Sequence, residues 1–302
     1  MRPITARITT VFLLAFVLSA CGVTEPGQPD VAGVSVQASS TNIGIGASLQ
    51  LSASVTPSGA NSAVTWSSGD ETRVAVSPTG LATAELLPIT ATTVTVTATS
   101  VENPTISGSI ELTVVCGPLA ASAVSSGGTL PEGTCYTVES PLSVSDGTLV
   151  VEPGVEISFG TSGSLSIGSN GRLNAMGTAS DGIVFTSIDP AASWRGIRFD
   201  DSRSADNVLH HVILENGGSS GWSGATQSAS ALLLEGNSLV DIQNTTIRGS
   251  ASRGITLYGD AEMTFVANTL VDNDVPAWMH PNTVRYLDTG SVYDGNTDDV
   301  VR

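Results

Sequence analysis

Two of the chain's three histidines are adjacent, at His210 and His211, and Glu215 and Asn216 follow a few residues later. Imidazole and carboxylate groups serve in metal sites and in general acid–base catalysis, so this stretch is the first candidate for chemistry. The alternative is a bend of a scaffold that carries polar residues. The choice depends on which residues stack beside the histidines, and therefore on the fold.

A second group of ionisable side chains lies just upstream: Arg195, Arg198, Asp200, Asp201 and Asp206. Arg198 and Asp200 are two positions apart and therefore share one face of a strand. This arrangement fits a surface salt bridge as well as a catalytic pair. The chain has neither the H-E-x-x-H motif of zinc proteases nor the G-x-G-x-x-G motif of dinucleotide-binding proteins. The sequence therefore predicts no catalytic residue.

Near the end of the chain, Asp294, Asn296 and Asp298 place oxygen donors at alternate positions, as a calcium loop does. The sixth position of such a loop is a glycine, but here it is Asp299. A turn rich in Asp and Asn is the simpler interpretation. We therefore expect no cofactor, and we keep these three residues as a calcium candidate.

Aromatic side chains outside the expected core are the remaining candidates for ligand contacts. Trp222 lies in a Gly/Ser-rich run over 217–230, and Tyr258 lies near the expected end of a strand. The flat apolar face of a sugar ring stacks on such rings, so Trp222 and Tyr258 are predicted to contact a carbohydrate. Alternatively, Trp222 packs down on the fold as a lid.

The whole chain is acidic, with a formal net charge of −17 and no lysine. A chain of this charge without a basic cluster is a poor candidate for binding nucleic acid. Apolar residues make up 40% of the chain, which excludes a disordered acidic tail. The abundance of Gly, Ser, Thr and Val favours an all-β protein.

The N-terminus has the pattern of an export signal. Arg2 and Arg7 precede a short apolar run over 11–18, and Leu18-Ser19-Ala20-Cys21 follows. This tetrapeptide resembles the bacterial lipobox, in which the signal is cleaved before the cysteine and the thiol is acylated. The resemblance implies a signal peptide over 1–20, lipidation at Cys21 and a tether over 21–30. The protein would be lipid-anchored at the bacterial outer membrane or cell surface. An ordinary signal peptide followed by a chance cysteine is the alternative.

Cys116 and Cys135 lie in a predicted linker over 116–135. Disulfides persist in exported proteins, so we expect these two cysteines to pair. On the loop-entropy model the bridge would contribute about 3 kcal/mol. Two free thiols are the alternative.

The segment 31–115 has period-2 alternation in short runs separated by turn residues, which is typical of a small β-sandwich. Its motifs resemble those of the bacterial immunoglobulin-like group 2 domain. They are a glycine before an alternating strand, then V-T-W-S-S, then V-A-V-S-P-T-G. The resemblance implies a surface spacer or adhesion module without chemistry of its own. Trp66 is predicted to be a core residue.

From Tyr136 onward, apolar positions recur at steps of 22 to 23 residues, apart from one step that contains a ten-residue insertion within 217–230. The step predicts a right-handed parallel β-helix of about seven repeats over 136–302, in which each repeat stacks on the next. The segments GTLVVEPGVEISFG and WRGIRF also resemble the pectin-lyase-like superfamily. The three recurring series are Leu209, Ile242, Phe265 and Leu287; Leu214, Ile247, Leu270 and Val292; and Leu232, Ile255, Trp278 and Val300.

This register predicts the neighbours of the histidines. The positions equivalent to His210 and His211 hold no carboxylate until Asp288, three strands or about 14 Å away. The histidines are therefore predicted to be polar residues at a bend. Glu215 is predicted to face outward in a column with Arg248, Val271 and Tyr293.

The function that these observations favour is that of a cell-surface lipoprotein without catalysis, whose β-helix binds a surface or matrix carbohydrate. The alternative is a polysaccharide lyase or glycoside hydrolase, which needs carboxylates aligned on neighbouring repeats. No cap is evident after the C-terminal repeat, which leaves two interpretations open: a truncated reading frame, or end-to-end pairing of this repeat with another chain.

Overall fold

The computed structural model describes residues 27–85, 92–222 and 228–298. The predicted signal peptide, Cys21 and Val300 lie outside the described residues. Within them, no helix is long and apolar enough to cross a membrane.

The first part of the described chain is a small, mainly antiparallel β domain. Its strands lie in a pair β1–β4, a four-stranded sheet in the order β2–β9–β8–β5 and a three-stranded sheet in the order β3–β7–β6. Alternate residues of these strands face a core that includes Leu51, Val96 and Leu112. The strands are β1 (Gly33–Gln37), β2 (Asn42–Gly44), β3 (Ser48–Gln50), β4 (Ser52–Thr56), β5 (Val64–Ser68), β6 (Val74–Val76), β7 (Leu81–Ala84), β8 (Thr92–Ser100) and β9 (Ser107–Val115).

Trp66 is half-buried and packs against this core. Gly80 adopts a φ of +80°, and a Cβ at this position would lie 2.9 Å from the indole ring. Only glycine meets both the left-handed conformation and the close approach at low cost. Gly80, in the V-A-V-S-P-T-G stretch, therefore leaves the space into which Trp66, in the V-T-W-S-S stretch, packs.

The second part of the described chain consists of parallel strands. They are β10 (Gly117–Pro118), β11 (Gly128–Leu130), β12 (Cys135–Val138), β13 (Pro141–Val151), β14 (Glu156–Phe159), β15 (Ser164–Met176), β16 (Ile183–Ser187), β17 (Ile197–Asp200), β18 (Arg203–His210), β19 (Val212–Glu215), β20 (Ser230–Glu235), β21 (Leu239–Gln243), β22 (Thr246–Arg248), β23 (Arg253–Leu257), β24 (Glu262–Val266), β25 (Thr269–Val271), β26 (Val275–Met279) and β27 (Val292–Asp294).

These strands form two parallel sheets, and the larger one has two arms that share β13 and β15. We treat the smaller sheet and the two arms as the first, second and third sheets, which the chain visits in the same order from β12 to β25. The first sheet is β10–β12–β14–β16–β19–β22–β25–β27. The second holds the N-terminal parts of β13 and β15, followed by β17, β20, β23 and β26. The third holds β11, the C-terminal parts of β13 and β15, then β18, β21 and β24. One pass through all three is one repeat, and its inward side chains join a single continuous core.

The bends between the sheets share one backbone feature, a left-handed residue at equivalent positions of successive repeats. Asn and Asp tolerate this conformation better than most residues, and glycine adopts it freely. The recurrence explains why the chain is rich in Gly, Asn and Asp at regular intervals. The three columns are Asp201, Gly236 and Gly259; His211, Asn244 and Ala267; and Asn216, Gly249, Asp272 and Gly295.

Buried asparagines connect consecutive repeats next to two of these bends. The Asn268 amide donates to the Ile242 carbonyl at 3.0 Å, and Asn273 donates to Ile247 at 3.0 Å. Asn296 continues the second series by donating to the carbonyl of Leu270 at 3.0 Å. These amides satisfy backbone groups that the bends would otherwise leave unpaired.

The observed register corrects the predicted one in the last repeat. Leu270 pairs with Tyr293, so Tyr293 packs against the core and Val292 is exposed, the reverse of the prediction. Ile255 pairs with Ala277, so Ala277 is buried and Trp278 faces outward. Instead of the strand predicted around Leu287, a 3-10 helical turn spans Val284–Tyr286.

Candidate functional site

A pair of stacked aromatic rings, one exposed and one partly buried, lies on the outer surface of the second sheet. Tyr258 directly follows β23, and Trp278 lies in β26, the neighbouring strand. Their rings stack with centroids 5.2 Å apart and an interplanar angle of 22°. Tyr258 is 42% exposed, so one face of the stack is accessible to a ligand. We call these two residues the aromatic pair.

An apolar cleft of about 480 Å³ opens beside the aromatic pair. Its volume is within the range of small-molecule sites. Its lining includes one imidazole, that of His280. The lining residues are Leu257, Tyr258, Gly259, Trp278, Met279, His280 and Pro281.

A polar cleft of about 430 Å³ adjoins the apolar one, and both share Gly259 and His280. β24 is the last strand of the third sheet, and the 3-10 turn Val284–Tyr286 packs near it. The polar cleft lies between this strand and this turn. The missing strand leaves a gap that polar side chains line. The lining residues are Gly259, Asp260, Ala261, Glu262, His280, Asn282, Thr283, Arg285 and Tyr286.

His280 stands at the boundary between the two clefts and is held by its own turn. The backbone N–H of Thr283 donates to the His280 carbonyl at 2.8 Å, and the Thr283 hydroxyl donates to the same oxygen at 2.7 Å. The backbone N–H of Asn282 donates to Nδ1 of the imidazole at 3.3 Å. Since Nδ1 accepts, Nε2 carries the proton of the neutral ring and can donate to a ligand.

The charged groups of the polar cleft are largely engaged. Arg203 Nη2 lies 3.2 Å from a carboxylate oxygen of Glu262. The Arg285 guanidinium lies 4.8 Å from the centre of the Tyr286 ring and donates to the Tyr286 hydroxyl at 3.1 Å. Asp260 is exposed, and in the described part of the chain no cationic group lies within ion-pair distance of it.

Two carboxylates, those of Asp200 and Glu235, lie on the same outer surface. Glu235 is one strand before Tyr258, and Asp200 is two strands before it. Asp200 pairs in register with Glu235, and Glu235 precedes Tyr258 in the same column. Arg198 contacts both, with Nη2 at 2.9 Å from Asp200 Oδ2 and a closer contact to Glu235 Oε1. Sequence reasoning missed Glu235 because the ten-residue insertion separates it from Asp200.

The remaining members of the Arg195–Asp206 group lie apart. Asp201 is at a bend, where its Oδ1 accepts from the Asn237 N–H at 2.8 Å. Asp206 lies 3.9 Å from Arg172. The group is therefore not one site.

Trp222 is only partly exposed and lies over the second sheet. The guanidinium groups of Arg195 and Arg198 are 5.4 Å and 5.8 Å from the centre of its ring. Leu233, which pairs with Arg198 and faces outward, is completely buried. This geometry matches the alternative in which Trp222 covers the sheet, because its ring is occupied by protein groups.

The predicted column is confirmed at its first step, because His210 pairs with Gln243, but a carboxylate outside that column lies close to His210. His210 Nε2 is 3.0 Å from Asp241 Oδ2, and Asp241 also accepts from the Gln243 amide. Asp241 is the diagonal neighbour of His210 on the adjacent strand, so a comparison of directly paired positions overlooked it. His211 has a φ of +50° at a bend and does not join this contact.

Two residues of the calcium candidate, Asn296 and Asp294, lie in different surroundings. Asn296 Oδ1 accepts from the backbone N–H of Asn273 at 3.0 Å inside the stack. Asp294 lies in the outward column, because it pairs with Val271. Asp294 therefore occupies the place predicted for Tyr293. Among the described residues, no three His, Cys, Asp or Glu side chains are arranged to hold a metal ion.

The structure joins Cys116 and Cys135 in a disulfide with a Cα–Cα distance of 4.9 Å. Cys116 directly follows β9, and Cys135 begins β12. The bridge therefore lies between the antiparallel domain and the first parallel strands.

Comparison with known proteins bears on the first domain. No curated protein matches the chain. A family model does match residues 30–108, which include β1 to β8 and the beginning of β9. The predicted resemblance over 31–115 is thereby confirmed in its main part. This part of the chain is a bacterial Ig-like domain of group 2.

Proposed function

We propose that this protein is a bacterial cell-surface lipoprotein without catalysis, which binds carbohydrate through the aromatic pair and its two clefts. Cys21 would carry the lipid, the Ig-like domain would act as a spacer, and the parallel strands would present the binding surface. The observation that carries the proposal is the stack of the exposed Tyr258 on the partly buried Trp278 beside the apolar cleft.

The parallel part is proposed to be a right-handed β-helix of the pectin-lyase-like kind. Support comes from the constant order of the three sheets and from the left-handed bends that recur once per repeat. A coil of this kind displays side chains of successive repeats at a spacing of about 4.8 Å along its outer surface. Such a ladder matches extended polymers better than small globular ligands.

The chemistry of the site suits a sugar ring. The apolar face of a pyranose would stack on the exposed aromatic surface, while its hydroxyl groups would donate to Asp260 and accept from His280 Nε2. Both polar groups line the polar cleft. Aromatic contacts combined with a few polar contacts are the usual composition of ligand sites.

Retention of the full chain on insoluble polysaccharides tests this proposal. We expect Tyr258→Ala to weaken retention and Tyr258→Phe to preserve it, since phenylalanine keeps the ring. Met176→Ala is the matched control, because Met176 is similarly exposed but lies at the end of β15 in the third sheet. Equal retention of Tyr258→Ala and wild type would contradict the proposal.

A second candidate function, glycoside hydrolysis or polysaccharide cleavage, is favoured by one observation. Asp200 and Glu235 are carboxylates on adjacent parallel strands. Both are already bound by Arg198, which occupies oxygens that proton transfer would use. New reducing ends or unsaturated products, lost in Glu235→Gln, would establish this function instead.

A further inference from the structure

We propose that the two clefts form one groove, which binds two consecutive rings of a sugar chain that runs along the strand direction. This inference rests on the proposed function and narrows its ligand to an oligosaccharide segment of two rings. It follows from the order in which residues line the clefts and from a break in the backbone hydrogen bonds between two consecutive repeats.

The two clefts have the same pair of walls. The first wall is the segment 257–262 of one repeat, and the second is the segment 278–286 of the next. On both walls the earlier residues line the apolar cleft and the later ones line the polar cleft, and the clefts meet at Gly259 and His280. The clefts are therefore consecutive parts of one groove along the strand direction. Each part alone has the volume of a small-molecule site.

The groove lies where two repeats cease to be joined by backbone hydrogen bonds. One repeat earlier, the Asp260 N–H donates to the Gly236 carbonyl at 2.8 Å. The strand register makes Asn282 and Gly259 the equivalent pair. The Asn282 N–H instead donates to Nδ1 of His280 at 3.3 Å. Within the described residues no backbone N–H donates to the Gly259 carbonyl, so this oxygen can accept a hydrogen bond from a ligand.

The boundary between the two parts of the groove thus has one acceptor and one donor. Gly259 has a φ of +68°, close to the +63° of Gly236, so we expect its carbonyl to point toward the next repeat as that of Gly236 does. His280 belongs to that next repeat, and its Nε2 carries the donor proton of the neutral ring. Hydroxyl groups of two neighbouring sugar rings would use this pair, one donating to the carbonyl and the other accepting from the imidazole.

The two parts of the groove suit two rings in different ways. In the apolar part, the first ring stacks on the exposed face of Tyr258. In the polar part, the side chains of Asn282 and Arg285 are exposed. The Arg285 guanidinium packs on the Tyr286 ring and donates to the Asn282 carbonyl, which holds it in place. The second ring would therefore be held mainly by hydrogen bonds to polar groups that are already positioned.

Oligosaccharides of one to four rings prepared from cellulose, amylose and galactan provide the test, by calorimetric titration of the full chain purified in detergent. In each series that binds, we expect two rings to bind at least about tenfold more tightly than one, because the second ring adds hydrogen bonds in the polar part. The third and fourth rings lie beyond the groove and should each add less than about threefold.

Asn282→Ala should lower the affinity for two rings about threefold more than the affinity for one, because it removes a side-chain amide from the polar part. Asn170→Ala is the matched control and should change neither affinity. Asn170 is also exposed and lies at the bend between the second and third sheets in an earlier repeat.

The outcomes separate this inference from the proposed function. Equal affinity for one and two rings, or an equal gain with every added ring, would overturn the two-ring groove and leave carbohydrate binding intact. Retention on a parent polymer without binding of any of these oligosaccharides would do the same. An unchanged gain from the second ring in Asn282→Ala would exclude the polar cleft as the place of that ring. Absence of both oligosaccharide binding and polymer retention would overturn carbohydrate binding itself.

Discussion

The indole ring of Trp194 lies parallel to the ring of Phe159, with centroids 3.9 Å apart and an interplanar angle of 6°. Its Nε1 donates to the carbonyl of Glu215 at 2.9 Å, and the side chain is completely buried. Phe159 ends β14 and Glu215 ends β19, so one side chain connects two strands of the first sheet. Trp194 is therefore expected to stabilise the packing of the parallel strands, which also carry the aromatic pair.

Replacement of Trp194 tests this role. Trp194→Ala should lower the free energy of unfolding by about 3–5 kcal/mol, because it leaves a large cavity in a closely packed core. Trp194→Phe should cost less, since a ring still stacks on Phe159 while the hydrogen bond is lost. Urea unfolding followed by circular dichroism measures both values. A loss below about 1 kcal/mol in the alanine variant would contradict the assignment.

The buried asparagines should contribute to stability through their side-chain hydrogen bonds to the backbone. Asn273→Ala removes the donor to the Ile247 carbonyl and the acceptor for the Ser250 N–H, at 3.0 Å and 3.1 Å. Each buried group left unpaired costs about 1–3 kcal/mol, so the variant should be clearly less stable.

Asn237→Ala is the control for this effect. Asn237 lies at the surface, where its Oδ1 accepts from Arg203 at 2.9 Å. Its loss should change the free energy of unfolding by less than about 0.5 kcal/mol. If the two substitutions lowered stability equally in thermal unfolding, the buried amides would contribute no more to stability than a surface asparagine does.

Much of this architecture could be predicted from local patterns. Alternation over β4 and β5 indicated half-buried strands, and the steps from Ile242 to Phe265 and from Ile247 to Leu270 matched the observed parallel register. These predictions succeed because the side-chain period of a strand and the constant length of a repeat are properties of the sequence itself.

The site was harder to predict because it depends on departures from the pattern. Trp278 faces outward because the register of β26 differs by one residue from the apolar series. A shift of one residue exchanges the two faces of a strand, so it turned a predicted core residue into half of the aromatic pair. The contact of His210 with Asp241 was missed for a different reason, since diagonal neighbours do not occupy equivalent repeat positions.

Replacement of Trp222 distinguishes the two interpretations of the insertion, in which this side chain either covers the second sheet or contacts a ligand. If Trp222 covers the second sheet, Trp222→Ala should lower the free energy of unfolding by about 1–3 kcal/mol, because Leu233 and the stems of Arg195 and Arg198 gain exposure. Polysaccharide retention should stay at the wild-type level. A variant with unchanged stability and lost retention would instead make Trp222 a ligand contact.

Tyr293 should make the stability of the last repeat sensitive to alkaline pH. Burial raises the pKa of its phenol above the ordinary value of 10.0, because the packed environment disfavours the phenolate. A raised folded-state pKa gives a contribution that is fully present below the unfolded value and is lost as the pH rises through the folded value. Stability should therefore fall above about pH 10, where the unfolded chain ionises first. Tyr293→Phe should flatten this part of the curve in urea unfolding between about pH 8 and pH 11. If wild type and variant lost stability at the same rate, the inward position of Tyr293 would not be the cause.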